Sequence, residues 1–137
     1  MLELQNVTKT FGAVKALDTL TMTVPKGAVY GLVGPNGAGK STAIRCLLGV
    51  YRPDSGSITL DGAPVYENPA AKMRMGSIPD DVFYFPSATL EEMRRYYQGI
   101  YPKFDTELYN KLFEAFDLPK KTPLRRFSKG MQKQAAF

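Results

Sequence analysis

The sequence predicts an α/β fold on three observations. Strand-like runs separated by turns fill its first third. A nearly continuous apolar run, Ala28-Val29-Tyr30-Gly31-Leu32-Val33, leads into a glycine-rich loop and a helix-forming stretch. From Pro86 onward the apolar spacing changes to threes and fours. The 137 residues have the length of one ordinary domain. With 44% apolar and 23% charged residues, the composition is that of a folded globular chain. No apolar run approaches the ~18 residues that would span a bilayer. The first residues lack the basic stretch and apolar core of a signal peptide, so direct membrane insertion is not expected. The single cysteine, Cys46, excludes an internal disulfide framework and suits a reducing cytosol. The absence of histidine excludes His-based acid–base catalysis and His-ligated metal. Chemistry must then rest on backbone amides, Lys, Ser and carboxylates.

Each element has its own local signal. The period-two run from Leu2 to Val7 reads as a strand, and Leu20-Thr21-Met22-Thr23-Val24 repeats the pattern before a Pro25-Lys26-Gly27 turn. Residues 28–33 are expected to form a strand buried on both faces. Residues 41–50 form a helix that ends around Gly49 and Pro53. Ser57-Ile58-Thr59-Leu60 runs into Asp61-Gly62, a strong hairpin signal. Asn68-Pro69 reads as a helix N-cap with proline at the first helical position, and residues 75–79 as a short strand. Thr89-Leu90-Glu91-Glu92 is a capping box, with Leu90, Met93, Tyr97 and Ile100 on one helix face. Asp105 caps a second helix that carries Leu108, Tyr109, Leu112, Phe113 and Phe116. These aromatic stripes read as core rather than as a ligand box. A third helix opens at Ser128.

The most informative stretch is Gly34-Pro35-Asn36-Gly37-Ala38-Gly39-Lys40-Ser41-Thr42, which fits G-x-x-x-x-G-K-[ST] between an expected strand and a helix. Glycines let the chain curl around phosphates with several amides pointing inward. The helix N-terminus adds unpaired N–H donors and a dipole that favours negative charge. Lys40 can reach the β- and γ-phosphates of a nucleotide, and the Ser41 hydroxyl can ligate Mg²⁺. At average glycine usage the bare pattern arises by chance in roughly one chain in two hundred of this length. The stretch therefore reads as a nucleoside triphosphate site.

With that loop in place, the chain resembles the ATP-binding subunit of ABC transporters over essentially its whole length. The loop matches the family's form residue by residue from Gly34 through Thr42. The upstream Val7-Thr8-Lys9-Thr10-Phe11-Gly12, with Ala16-Leu17 after it, is similar to the family's adenine-stacking region. The resemblance implies that Phe11 lies on the base and that Ala16 lines the same face; stacking suits a purine because its π-face needs no hydrogen bond. Phe127-Ser128-Lys129-Gly130-Met131-Gln132 resembles the family signature, usually Leu-Ser-Gly-Gly-Gln, with Lys129 and Met131 as departures. By resemblance, Ser128, Gly130 and Met131 meet the ATP held by the opposite subunit of a dimer. Where the family usually places a Gln touching Mg²⁺ and the attacking water, this chain has Asp80, followed by Asp81. A carboxylate there can bind Mg²⁺ or be an acidic turn after Pro79.

The resemblance implies an ABC-type P-loop NTPase cut short. An antiparallel β subdomain precedes the phosphate-loop strand and helix, a helical signature subdomain follows, and the core parallel sheet is incomplete. Residues 1–86 would be the nucleotide-binding core and residues 87–137 the helical subdomain. The implied function is ATP binding and hydrolysis coupled to transport, with ATP and Mg²⁺ as cofactors. A transmembrane permease and a second nucleotide-binding subunit are the implied partners, and the location is the cytoplasmic side of the membrane. The departures at Asp80 and Lys129-Gly130-Met131 look like those of export systems. The family's Asp-Glu strand and switch histidine are not among these residues, so the chain alone is expected to bind ATP without efficient hydrolysis. A soluble ATPase acting on ribosomes and a non-catalytic nucleotide-binding module are the alternatives. The net charge of +5 is concentrated in Lys120, Lys121, Arg125, Arg126, Lys129 and Lys133, with no acid among residues 118–137. That segment reads as a solvated basic face or as a site for phosphate or anionic headgroups, and no nucleic-acid partner is expected.

Overall fold

Strands β1 (Leu2–Phe11) and β2 (Val14–Val24) form an antiparallel hairpin, pairing Leu2 with Val24 and Phe11 with Val14. The hairpin is longer than the two short runs visible in the sequence, because its alternation is broken by bulges. Leu4 and Val7 are both buried although they are separated by an odd step, and the register shifts between them. Asn6, at φ 50°, absorbs the extra residue, and Thr19, at φ 48°, does the same on β2 between Leu17 and Leu20. Side chains hold both bulges: Asn6 N donates to Thr21 Oγ1 at 3.0 Å, and Thr19 N donates to Thr8 Oγ1 at 3.1 Å.

The structure, a computed structural model, describes residues 1–79 and 83–136, and the chain divides into two compact units, Met1–Ser77 and Ile78–Phe137. In the first unit, β3 (Ser55–Leu60) pairs with the free edge of β1, and the Asp61-Gly62 turn leads to the short β4 (Ala63–Pro64). The result is a four-stranded antiparallel sheet in the order β2-β1-β3-β4. The turn's Asp61 carboxylate pairs with the N-terminal amine and with Arg74. Those bonds, the amine's first, hold its pKa down at about 2. Helix α1 (Lys40–Leu47) buries Ala43 and Cys46 in a core with Leu4, Val7, Leu17, Ile58 and Val65. Its end at Gly49 follows the expected glycine stop: Gly49 N donates to Cys46 O and Val50 N to Arg45 O. Helix α2 (Pro69–Lys72) starts under an Asn68 cap, as its sequence indicates.

Two expected strands are absent from the described residues. Residues 28–33 form no ladder, and Val29 and Val33 stand 103% and 94% exposed. Apolar patterning shows what a segment would bury, but a strand also needs a neighbour to satisfy its amides and carbonyls. Every described strand is already accounted for by the β2-β1-β3-β4 ladder, which residues 28–33 do not join. Residues 75–79 are likewise irregular; Met75 packs on the core, whereas Ile78 is exposed.

The second unit is helical. Helix α3 (Leu90–Ile100) opens with the full capping box: Thr89 N donates to Glu92 Oε2 at 2.7 Å, and Glu92 N donates to Thr89 Oγ1 at 3.3 Å. Helix α4 (Thr106–Phe116) begins at Asp105, whose carboxylate accepts from Leu108 N at 2.9 Å. A short 3₁₀ turn, Leu124–Arg126, precedes α5 (Lys129–Ala135). Ala88, Leu90, Met93, Leu118, Leu124 and Phe127 form the core, flanked by Tyr97, Phe113, Phe116 and Met131. The aromatic stripes therefore serve packing, although Ile100 and Leu108, expected on the inner faces, are about half exposed. Leu124 N donates to Ala88 O and Arg125 N to Pro86 O, and Tyr84 packs on the same core. Residues 84–86 thus go with the helices, and the division falls after Ser77 rather than at 86/87.

Candidate functional site

The phosphate loop sits where β2 meets the start of α1. Gly39, at φ 81°, is the N-cap of α1 and has no side chain to cap it, so the first-turn amides receive no side-chain acceptor. A Cβ on Gly39 would meet the backbone oxygen of Ala16 and the Leu17 side chain. Glycine is therefore required both by the left-handed backbone and by the close approach of β2. This contact also places Ala16 against the end of the loop. Within the loop, Ala38 N donates to Pro35 O at 3.3 Å and closes a turn over Asn36 and Gly37. The helix proper begins when Ala43 N donates to Gly39 O at 2.8 Å.

Lys40 is the best-placed charged group. Its Nζ donates to Gly34 O and to Pro35 O, both at 2.6 Å, so the ammonium lies against the loop's own carbonyls. Those bonds preorganise the curl and leave the ammonium a further donor for an anion. Ser41 is exposed and Thr42 half-buried on the first turn. The uncapped amides, a lysine turned into the loop and an exposed hydroxyl beside it fit a phosphate chain carrying a divalent cation. Ser41 would supply one oxygen to Mg²⁺. Asp80, the second expected metal contact, lies outside the described residues.

Phe11 ends β1 and is 43% exposed. Tyr51, from the segment that follows α1, meets it edge-on at 5.3 Å between centroids, and Lys9 Nζ lies 5.4 Å from the Phe11 centroid. Sequence reasoning missed Tyr51, because no local pattern links a residue after a helix to the tip of the first strand.

In the second unit, Ser128 caps α5, its Oγ accepting from Met131 N at 3.2 Å. Gly130 is open, with only Ser128 Oγ near the position of a Cβ. Met131 packs its side chain against the helical core, and its N–H is taken by Ser128. Ser128, Lys129 and Gly130 are the exposed members of the signature in this unit, with Met131 and Gln132 half-buried. The basic segment is partly engaged, since Lys120 Nζ lies 5.2 Å from the Phe113 ring centroid. Among the described residues no helix is long and apolar enough to cross a membrane.

A family model described as ABC transporter matches residues 17–137. The ABC transporter ATP-binding protein YtrB of Bacillus subtilis (strain 168) is 31% identical over all 137 residues, which span 47% of its length. The SkfA peptide export ATP-binding protein SkfE of the same strain is 36% identical over 92 residues, 67% of this chain and 38% of SkfE. The ribose import ATP-binding protein RbsA of Pseudomonas putida KT2440 is 58% identical over 64 residues, 47% of this chain and 12% of RbsA. A solved structure titled as the ATP-binding subunit of an ABC transporter superposes at a TM-score of 0.82 with 28% identity, over 98% of this chain and 59% of that one. The chain spans less than half the length of each of these curated relatives. With its phosphate loop intact and the family model matching from Leu17 onward, the chain belongs to the ABC transporter family as an ATP-binding domain.

Proposed function

We propose that the chain is the nucleotide-gripping part of a transporter's ATP-binding subunit. The observation that carries this is the loop itself. The uncapped N-terminus of α1 and Lys40, drawn onto the carbonyls of Gly34 and Pro35, form a preformed anion cradle. In this reading Asn36, Gly37, Ala38, Gly39 and Thr42 surround the phosphates, largely through backbone amides. Lys40 contributes charge to the β- and γ-phosphates, and Phe11, with Ala16 beside it, takes the base. Mg²⁺, when bound, neutralises phosphate charge; Ser41 holds it, with Asp80 as a second donor. Ser128, Gly130 and Met131 meet the nucleotide of an opposing subunit, Ser128 with its hydroxyl and Gly130 with open backbone. A transmembrane permease at the cytoplasmic face is the partner that turns closure into transport. Relatives named for import and for export both occur. The Lys129-Gly130-Met131 form and Asp80 are the grounds for proposing export.

The 137 residues contain no histidine and no Asp-Glu pair to orient an attacking water. The chain should therefore bind Mg-ATP in calorimetry while its steady-state turnover stays far below about one per second, the low end of ordinary enzyme rates. A turnover near that figure would contradict the non-hydrolytic part of the proposal, and an absence of ATP binding would contradict all of it.

A further inference from the structure

The segment between α1 and β3, residues 48–54, is stitched onto the end of β1 at several points. Asp54 N donates to Thr8 O at 2.8 Å, and the Asp54 carboxylate accepts from Thr10 N at 2.6 Å and from Lys9 Nζ at 2.8 Å. Lys9, held in this way, lies over Phe11. From the same segment Tyr51 packs on the hydrophobic core and brings its ring to Phe11 at 5.3 Å, with the planes 68° apart. Tyr51 is itself fixed to α1. Its N–H donates to Arg45 O at 3.1 Å, and the Arg45 guanidinium lies 5.7 Å from its ring centroid. Arg45 belongs to the helix whose first residues are Lys40 and Ser41. A continuous run of contacts therefore joins the phosphate end of the site to the Phe11 ring.

Phe11 needs such support because it stands at a hairpin tip with much of its surface in solvent. An aromatic ring that is free to rotate loses entropy on stacking, whereas one held edge-on by a neighbour is already oriented. We propose that Tyr51 is the positioning residue for the nucleobase, holding Phe11 in its stacking orientation and tying that orientation to α1. This rests on the reading of Phe11 as the base-stacking ring.

The test compares ATP with inorganic tripolyphosphate, which lacks a base, by calorimetry with Mg²⁺ on the full chain. Tyr51→Leu keeps apolar contact with the core but removes the ring. It should weaken ATP binding about threefold to tenfold, the range of one aromatic pair, and leave tripolyphosphate within about twofold of wild type. Tyr51→Phe, which keeps the ring, should bind ATP as wild type does. Equal weakening of both ligands by Tyr51→Leu would mean a general structural role and would overturn the inference. If Phe11→Ala loses ATP affinity while Tyr51→Leu does not, base stacking survives and positioning by Tyr51 is overturned. If Phe11→Ala binds ATP unchanged, the stacking reading fails and the inference with it.

Discussion

Replacing Lys40 with Ala should weaken Mg-ATP binding by about tenfold to a hundredfold, the worth of a charge-assisted hydrogen bond to phosphate. The ammonium is already gathered against the Gly34 and Pro35 carbonyls, so little ordering cost falls on the lysine when an anion arrives. Stability should fall by only about 1 kcal/mol, because the lost bonds go to carbonyls at or near the surface, where water replaces the donor. Calorimetric titration with Mg-ATP, beside a urea unfolding curve, separates the two effects. Lys40→Arg should not restore affinity: a planar guanidinium fork does not fit where a compact ammonium bridges two carbonyls at 2.6 Å.

Gly39→Ala is expected to destabilise the first unit strongly, costing about 2–4 kcal/mol. Two penalties combine. The backbone stands at φ 81°, which an L side chain adopts at a cost, and the new methyl would press on the Ala16 carbonyl and the Leu17 side chain. Gly37→Ala provides the comparison. Its φ of 83° carries the same strain, but nothing lies within 4 Å of the added carbon. That variant should lose only about 1–2 kcal/mol. The difference between the two urea midpoints, at unchanged slope, measures the contact between the loop and β2. Equal losses would mean that β2 does not brace the loop.

Much of the molecule is readable from local sequence because local chemistry determines it. The capping box at Thr89, the caps at Asn68, Asp105 and Ser128, the Asp61-Gly62 turn and the glycine stop of α1 each depend on residues a few positions apart. The phosphate loop belongs to the same class, since its function resides in a short run of backbone and one lysine. The features that escaped depend on distant partners. Whether residues 28–33 form a strand turns on a neighbour, and their apolar pattern is silent about one. The bulges at Asn6 and Thr19 shift the period of β1 and β2 through bonds to Thr21 and Thr8 across the hairpin, so alternation alone gave two short strands for two long ones. Met131 packs its side chain on the helical core from α5, a contact that its place in the motif does not announce. Tyr51 reaches Phe11 only through the return of the chain after α1.

In the proposed function residues 36–42 form the nucleotide cradle, with the phosphate held by amides and Lys40. The most direct measurement is a two-dimensional amide NMR titration of the isotope-labelled chain with Mg-ATP. The largest shifts should fall on the amides of residues 36–42, a smaller set should reach the neighbourhood of Phe11, and Lys40→Ala should suppress both. Shifts confined to the basic segment around Lys120, Lys121, Arg125 and Arg126, or no shifts at all, would contradict the claim.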